Sequence, residues 1–340
     1  MRKNLFLTVP ALALAAGSLA ACGNEGSGAD DGKLSVVAGF YPLAFAAEQV
    51  GGDHVAVTDL TPPGEEAHEL ELKPDQMAEV VDADLVVHLD DFIPSLDKAV
   101  EEYASDNALD AAEGQDLLTF DGEIDSHDDH GGEEGHDDHG HEGEEGHDDH
   151  GEEEGHEAEE GHDHDHGSVD PHLWLDPTRY AKLGDAIADR LAEIDADNAD
   201  DYRANAEAFG DDLAELDAKF TESVEGSERD DIVTSHAAFG YLADRYDLDQ
   251  IAIAGLSPDQ EPAPARMAEI SDYIKEEGVT TVFFETVASP AVAETVARES
   301  GAETATLNPL ESLTAEDLDA GDDYFSVMEA NLAALEKALN

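Results

Sequence analysis

Residues 34–60, LSVVAGFYPLAFAAEQVGGDHVAVTDL, hold the fold in miniature. LSVVAGF is a short apolar run rich in β-branched residues, the mark of a strand buried on both faces. PLAFAAEQVGG follows with helical spacing, opened after Tyr41 by a proline and closed by glycine. HVAVTDL is a second strand. A strand, a helix and a strand in 27 residues predict a βαβ unit and therefore a parallel sheet.

Outward from that unit the alternation continues. KPDQMAEVVD reads as a helix opened by Pro74, ADLVVHLD as a strand, SLDKAVEEYAS as a helix and LLTF as a strand. Residues 126–167 then break the pattern with Asp, Glu, Gly and His. That tract has no aliphatic or aromatic side chain beyond Ala158, so it cannot bury a core and is expected to be disordered. Order resumes at VDPHLWLDPTRY and passes into a long helical stretch interrupted only at DADN. From Asp231 the alternation restarts with DIVTSH, AAFGYLADRYD, QIAIAGL, PARMAEISDYIKEEG, VTTVFFET, PAVAETVARESG, ETATLNP and a final helix, YFSVMEANLAALEKALN. The predicted fold is α/β, with two lobes joined by a long helical connection. Ligands of such sheets bind beyond the carboxyl ends of the strands, which points to the cleft between the lobes.

Composition narrows the function. The 340 residues carry 85 Asp and Glu against 16 Lys and Arg, a formal charge of -69. Such a chain repels nucleic acid and anionic lipid surfaces. It suits a protein that handles cations, and equally one whose surface stays soluble in high salt; acids spread over both halves favour the latter for the bulk charge. Arg2 and Lys3 precede LFLTVPALALAAG and then LAAC, a secretory signal that ends like a bacterial lipobox at Cys22. Cys22 is the only cysteine, so neither an internal disulfide nor a cysteine zinc site is possible. GNEGSGADDG then reads as a tether.

Of the 16 histidines, 11 lie in the acidic tract: His127, His130, His136, His139, His141, His147, His150, His156, His162, His164 and His166. Spaced irregularly by Asp, Glu and Gly, they are expected to form several weak, exchanging zinc sites, accessory to a site built elsewhere. His54 begins a strand and His88 sits inside one, so both read as structural or surface residues. His68, His172 and His236 occupy loops at strand ends. Each alone reads as a capping or surface residue; three such loops shared between two lobes suit zinc, for which three imidazoles and a fourth oxygen are an ordinary set. HExxH, GxSxG and a phosphate-binding glycine loop are all missing from the sequence, and no general base pairs with the three histidines, so no enzyme is expected.

PPGEEAHELELKPDQ, DPHLWLDP, VTSHAAFGYLADRYDL, GLSPDQEPAPARMAEI and VFFETVASPAVAETVARESGA stand in the order found in metal receptors of bacterial ABC importers. From about Leu34 onward the sequence resembles the zinc-specific, ZnuA-type branch. The resemblance implies two α/β lobes, each with a parallel sheet flanked by helices, joined by a long rigid helix, with the metal in the cleft. It implies a signal peptide at 1–21, a tether at 22–32, an N-terminal lobe at 33–125 and the tract at 126–167. The rest of that lobe, with the metal motif, falls at 168–200, the linking helix at 201–228 and the C-terminal lobe at 229–340.

Residue by residue, the family's three histidines fall on His68, His172 and His236. Manganese-binding relatives usually carry glutamate at the third, so His236 points to Zn2+, which nitrogen donors favour. The acidic histidine insertion is likewise typical of the zinc branch. Where many relatives have an aspartate in LDPL, this sequence reads TLNPLESL with Asn308. A neutral amide is a poor zinc ligand, which leaves water or a carboxylate such as Glu285 for the fourth position. The implied function is capture of Zn2+ outside the membrane, as a monomer lipid-anchored through Cys22, for delivery to an ABC permease and its ATPase. A manganese or iron receptor of the same fold, and a non-transport zinc buffer or adhesin, are the alternatives.

Overall fold

The computed structural model describes residues 32–120 and 168–340. Cys22 and the eleven tract histidines lie outside them. The first lobe runs β1 (Leu34–Ala38), α1 (Tyr41–Gly51), β2 (Val55–Asp59), α2 (Pro74–Asp82), β3 (Leu85–His88), α3 (Pro94–Ala99) and β4 (Ala108–Asp110). Its sheet is parallel, in the order β2-β1-β3-β4. Prolines in the first turns of α1, α2 and α3 fix where each helix begins, since their missing N–H would be unpaired there anyway.

The stretch LLTF departs from its expected place. Only its last two residues form β5 (Thr119–Phe120), which pairs antiparallel with β6 (Ser168–Val169) instead of joining the sheet. The sheet's fourth strand is the Ala-Leu-Asp of β4. Three residues beside charged neighbours give too short an apolar signal to read as a strand. Asn107 sets it in place, its side chain donating to the Ala83 carbonyl at 2.6 Å.

Next come α4 (Pro177–Ile194) and α5 (Ala199–Val224), which pack along one another. Asp176 caps α4, its Oδ1 accepting from the Thr178 N–H at 2.8 Å. Gly184 allows the close approach: a Cβ there would lie 2.9 Å from Cδ1 of Phe209. The second lobe follows as β7 (Asp231–Thr234), α6 (Gly240–Tyr246), β8 (Asp249–Ala252), α7 (Pro264–Glu277), β9 (Thr281–Phe284), α8 (Ala291–Ser300), β10 (Glu303–Thr306), α9 (Ala315–Ala320) and α10 (Tyr324–Leu339). Its sheet is also parallel, in the order β10-β9-β7-β8.

Two cores result. Ile251, Ile270, Val282 and Val296 pack inside the second lobe. The larger core joins the first lobe to α4, α5 and α10. There Tyr324 of α10 meets Tyr180 of α4 at 4.5 Å between ring centroids, and Phe45 of α1 at 6.0 Å. The last helix thus ties the second lobe to the first. Among the described residues no helix is long and apolar enough to cross a membrane.

Candidate metal centre

Four side chains converge where the carboxyl ends of the two sheets face each other. His68, His172, His236 and Glu311 each offer a donor atom, and all four atoms lie within 4.8 Å of one another.

His68 lies in the loop from β2 to α2. Gln76 Nε2 donates to the Leu60 carbonyl at 2.7 Å, and the Ser95 hydroxyl to that of Leu70 at 2.5 Å, so both ends of the loop are pinned. Phe92 packs against the imidazole, with ring centroids 4.2 Å apart. His172 follows Pro171 and is fully buried. Its Nδ1 lies 2.7 Å from Asp170 Oδ1, which also accepts from the His172 N–H. A carboxylate can only accept, so Nδ1 carries a proton in either charge state and Nε2 is the nitrogen turned to the cleft. His236 leaves the end of β7 and repeats the device: its Nδ1 meets Glu285 Oε1 at 2.6 Å, an oxygen that also accepts from the Ser235 hydroxyl.

Glu311 lies in the loop after β10. Asn331 holds that loop by accepting from the Asn308 N–H and donating to the Asn308 carbonyl, at 2.8 and 2.7 Å. Trp174 Nε1 donates to the Pro309 carbonyl at 2.8 Å, and the Gly64 N–H to the Ser312 hydroxyl at 3.0 Å. Both bonds cross the cleft. Leu310 takes a φ of 63°, a left-handed conformation rare for a leucine, and Glu311 follows it.

Glu311 Oε1 stands 3.3 Å from His172 Nε2 and 3.2 Å from His236 Nε2; Oε2 is 3.7 Å from His68 Nε2. None of the three Nε2 atoms, nor Oε1, has a hydrogen-bond partner, although all are buried. Unpaired buried polar atoms are rare in native proteins. A tetrahedron with bonds of about 2.0–2.1 Å has edges of about 3.3–3.4 Å, which the two Glu311 Oε1 distances to His172 and His236 match.

The electrostatics agree. Burial would depress His172 and His236, but the carboxylates outweigh it: Asp170 and Glu311 raise His172, and Glu285 and Glu311 hold His236 at about 10. Burial would raise Glu311, yet the three imidazoles beside its carboxylate hold it well below the usual carboxylate range. Glu66 is pushed up to about 8, by burial first and then by the charge of Glu311.

The three histidines singled out in the sequence thus come together. Glu285 does not join them; it supports His236 from behind. Asn308 stands apart from the cluster too, its Oδ1 accepting from the Leu310 N–H at 2.8 Å. The residue that sequence reasoning missed is Glu311, three positions on in the same TLNPLESL. One signal was available: a lone acid among Leu307, Leu310 and Leu313, all buried.

The sequence profile of a family described as the periplasmic zinc-uptake complex component A, ZnuA, matches residues 36–338. The zinc-binding lipoprotein AdcA of Streptococcus pneumoniae is 39% identical over 323 residues, covering 94% of this chain and 58% of the lipoprotein. The chain thus spans little more than half the length of that relative. The high-affinity zinc uptake system protein ZnuA of Bacillus subtilis is 36% identical over 329 residues, covering 94% of this chain and 93% of that protein. The Zn(II)-bound ZnuA-like domain of Streptococcus pneumoniae AdcA superposes with a TM-score of 0.68 at 35% identity, covering 91% of this chain and 99% of that structure.

Proposed function

This chain belongs to the ZnuA family of zinc-uptake components, and we propose that it captures Zn2+ outside the cytoplasmic membrane and hands it to an ABC permease and its ATPase. One observation carries this reading: three imidazole nitrogens and one carboxylate oxygen, buried, mutually close and without hydrogen-bond partners. In this reading His68, His172, His236 and Glu311 are the ligands. Four protein donors complete a tetrahedron and leave no position for a reactive water, which suits holding an ion and not hydrolysis. Three nitrogens and one oxygen favour zinc over manganese, which prefers six oxygen-rich ligands.

Asp170 and Glu285 fix the ring orientation of two ligands and raise their basicity. His68 and His172 pack on Phe92 of the first lobe; His236 and Glu311 stand on loops of the second. Separation of the lobes would leave two donors on each side, which gives the ion a way out. Cys22 supplies the lipid anchor of a monomer, and the tract histidines hold additional zinc weakly. Calorimetric titration with zinc and manganese tests the reading. Tight, single-site zinc binding with manganese at least a hundredfold weaker is expected; equal affinities would contradict it.

A further inference from the structure

On one side the four-donor cluster borders a cavity of about 610 Å³. Among the described residues that line it, His68 is the only one of the four donors. Carboxylates of Asp90, Asp91 and Asp110 stand in the same wall, so water fills the space. Between that water and the buried ligands lies the ring of Phe92. It lines the cavity, packs on His68 with centroids 4.2 Å apart, and meets His172 edge-on at 6.4 Å. Pro171 and Leu173 line the cavity too, whereas His172 between them does not. Phe92 offers no ligand atom, so its place over the imidazoles serves by shape.

That place is tightly held. Phe92 is only 2% exposed and rests on Phe40 and Trp174, with ring centroids 4.4 and 5.8 Å away. Asp91, directly before it, takes a φ of 62°, and the Phe92 N–H donates to the Leu89 carbonyl at 3.4 Å to close the turn. Left-handed backbone is unfavourable for a residue with a Cβ and persists where its surroundings impose it. Among the described residues three non-glycines adopt it: Asp91, Asp247 and Leu310. Two of the three directly precede a side chain at the centre, Phe92 after Asp91 and Glu311 after Leu310.

We propose that Phe92 is a specificity-determining residue: its ring covers the cavity side of the centre and bars water from a fifth or sixth coordination position. This rests on His68, His172, His236 and Glu311 being the ligands. Zn2+ is satisfied by four donors in a tetrahedron. Mn2+ seeks six, mostly oxygens, and the cavity is where the missing waters would enter. The donors select by their chemistry, and Phe92 by the number of places it leaves.

The test uses the full chain loaded with one equivalent of Co2+, whose visible bands are intense in a tetrahedral site and weak in a nearly centrosymmetric six-coordinate one. The unaltered protein should show intense bands. In Phe92→Ala they should weaken at least threefold, and the ratio of zinc to manganese affinity should fall at least tenfold. Phe92→Val keeps part of the apolar volume and guards against misfolding of the alanine variant; both readouts should move the same way, by less. A merely structural role would lower the melting temperature without changing the cobalt bands. Band intensity or affinity ratio unchanged in both variants would overturn the proposal and leave the four ligands standing. Weak bands already in the unaltered protein would contradict the four-donor centre itself, and this inference with it.

Discussion

His236 Nδ1 and Glu285 Oε1 stand 2.6 Å apart, both buried, with the imidazole's other nitrogen turned to Glu311. The pair decides which nitrogen of His236 is free for a metal. Glu285→Gln keeps the shape but lets the amide accept or donate, so the ring is no longer held in one tautomer. Zinc affinity should fall by about 10- to 100-fold, the usual effect of losing a support behind a ligand. Competition against a chelator measures it, and an unchanged affinity would show that Glu285 only organises the strand end.

Glu311→Gln should weaken zinc binding more than Glu285→Gln does, because it removes a donor and not a support. The zinc K-edge absorption spectrum of the variant, loaded with one equivalent, should show a protein oxygen replaced by water or lost. A spectrum identical to that of the unaltered protein would exclude Glu311 as a ligand.

Zinc binding should release protons at neutral pH. His236, held at about 10, is protonated in the metal-free protein at pH 7 and must give up that proton to bind. The affinity should therefore drop by about one order of magnitude per pH unit for each proton displaced. Fold stability runs the other way. A histidine whose pKa is raised on folding stabilises the metal-free protein fully below about 6.5, and this is lost as pH rises through about 10. Calorimetry at pH 7 in two buffers of different ionisation enthalpy counts the protons; a count of zero would contradict the charged His236–Glu285 pair.

Trp174→Phe should cost about 1–3 kcal/mol of stability, since the Pro309 carbonyl loses the indole N–H donor in a buried place. The bond crosses the cleft and steadies the loop of Glu311. Zinc affinity should fall together with the melting temperature. A loss of stability with affinity intact would mean that the loop holds Glu311 without help from Trp174.

Much of this was legible in the sequence, and the reasons are local. β1, β3, β7 and β9 each hold two or three successive buried apolar residues, and prolines and glycines mark the ends of most helices. Gly278, at a φ of 73°, closes α7 in the left-handed conformation that glycine tolerates best. His68, His172 and His236 stood out because histidine is scarce outside the tract. β4 was missed because three residues carry no periodicity. Glu311 was missed because an acid in so acidic a chain draws no notice, and its role depends on the turn at Leu310 and the anchors from Asn331 and Trp174. Those contacts span 23 and 135 residues, beyond the reach of local pattern.

Deletion of residues 126–167 should remove the weaker zinc steps seen by calorimetry and leave one tight zinc per molecule. The tract's histidines are spaced irregularly by Asp, Glu and Gly, a pattern that suits weak and exchanging sites. Loss of the tight step with the tract would move the main site out of the cleft.

The most direct test of the central claim is the zinc affinity of His68→Ala, measured by chelator competition beside the unaltered protein. His68 is the most accessible of the four donors, at 13% side-chain exposure, and it lies on a surface loop, so the variant should fold. The proposed centre predicts that the tight site weakens by at least a hundredfold while the weaker binding steps stay as they were. Full retention of the tight site in His68→Ala would contradict it.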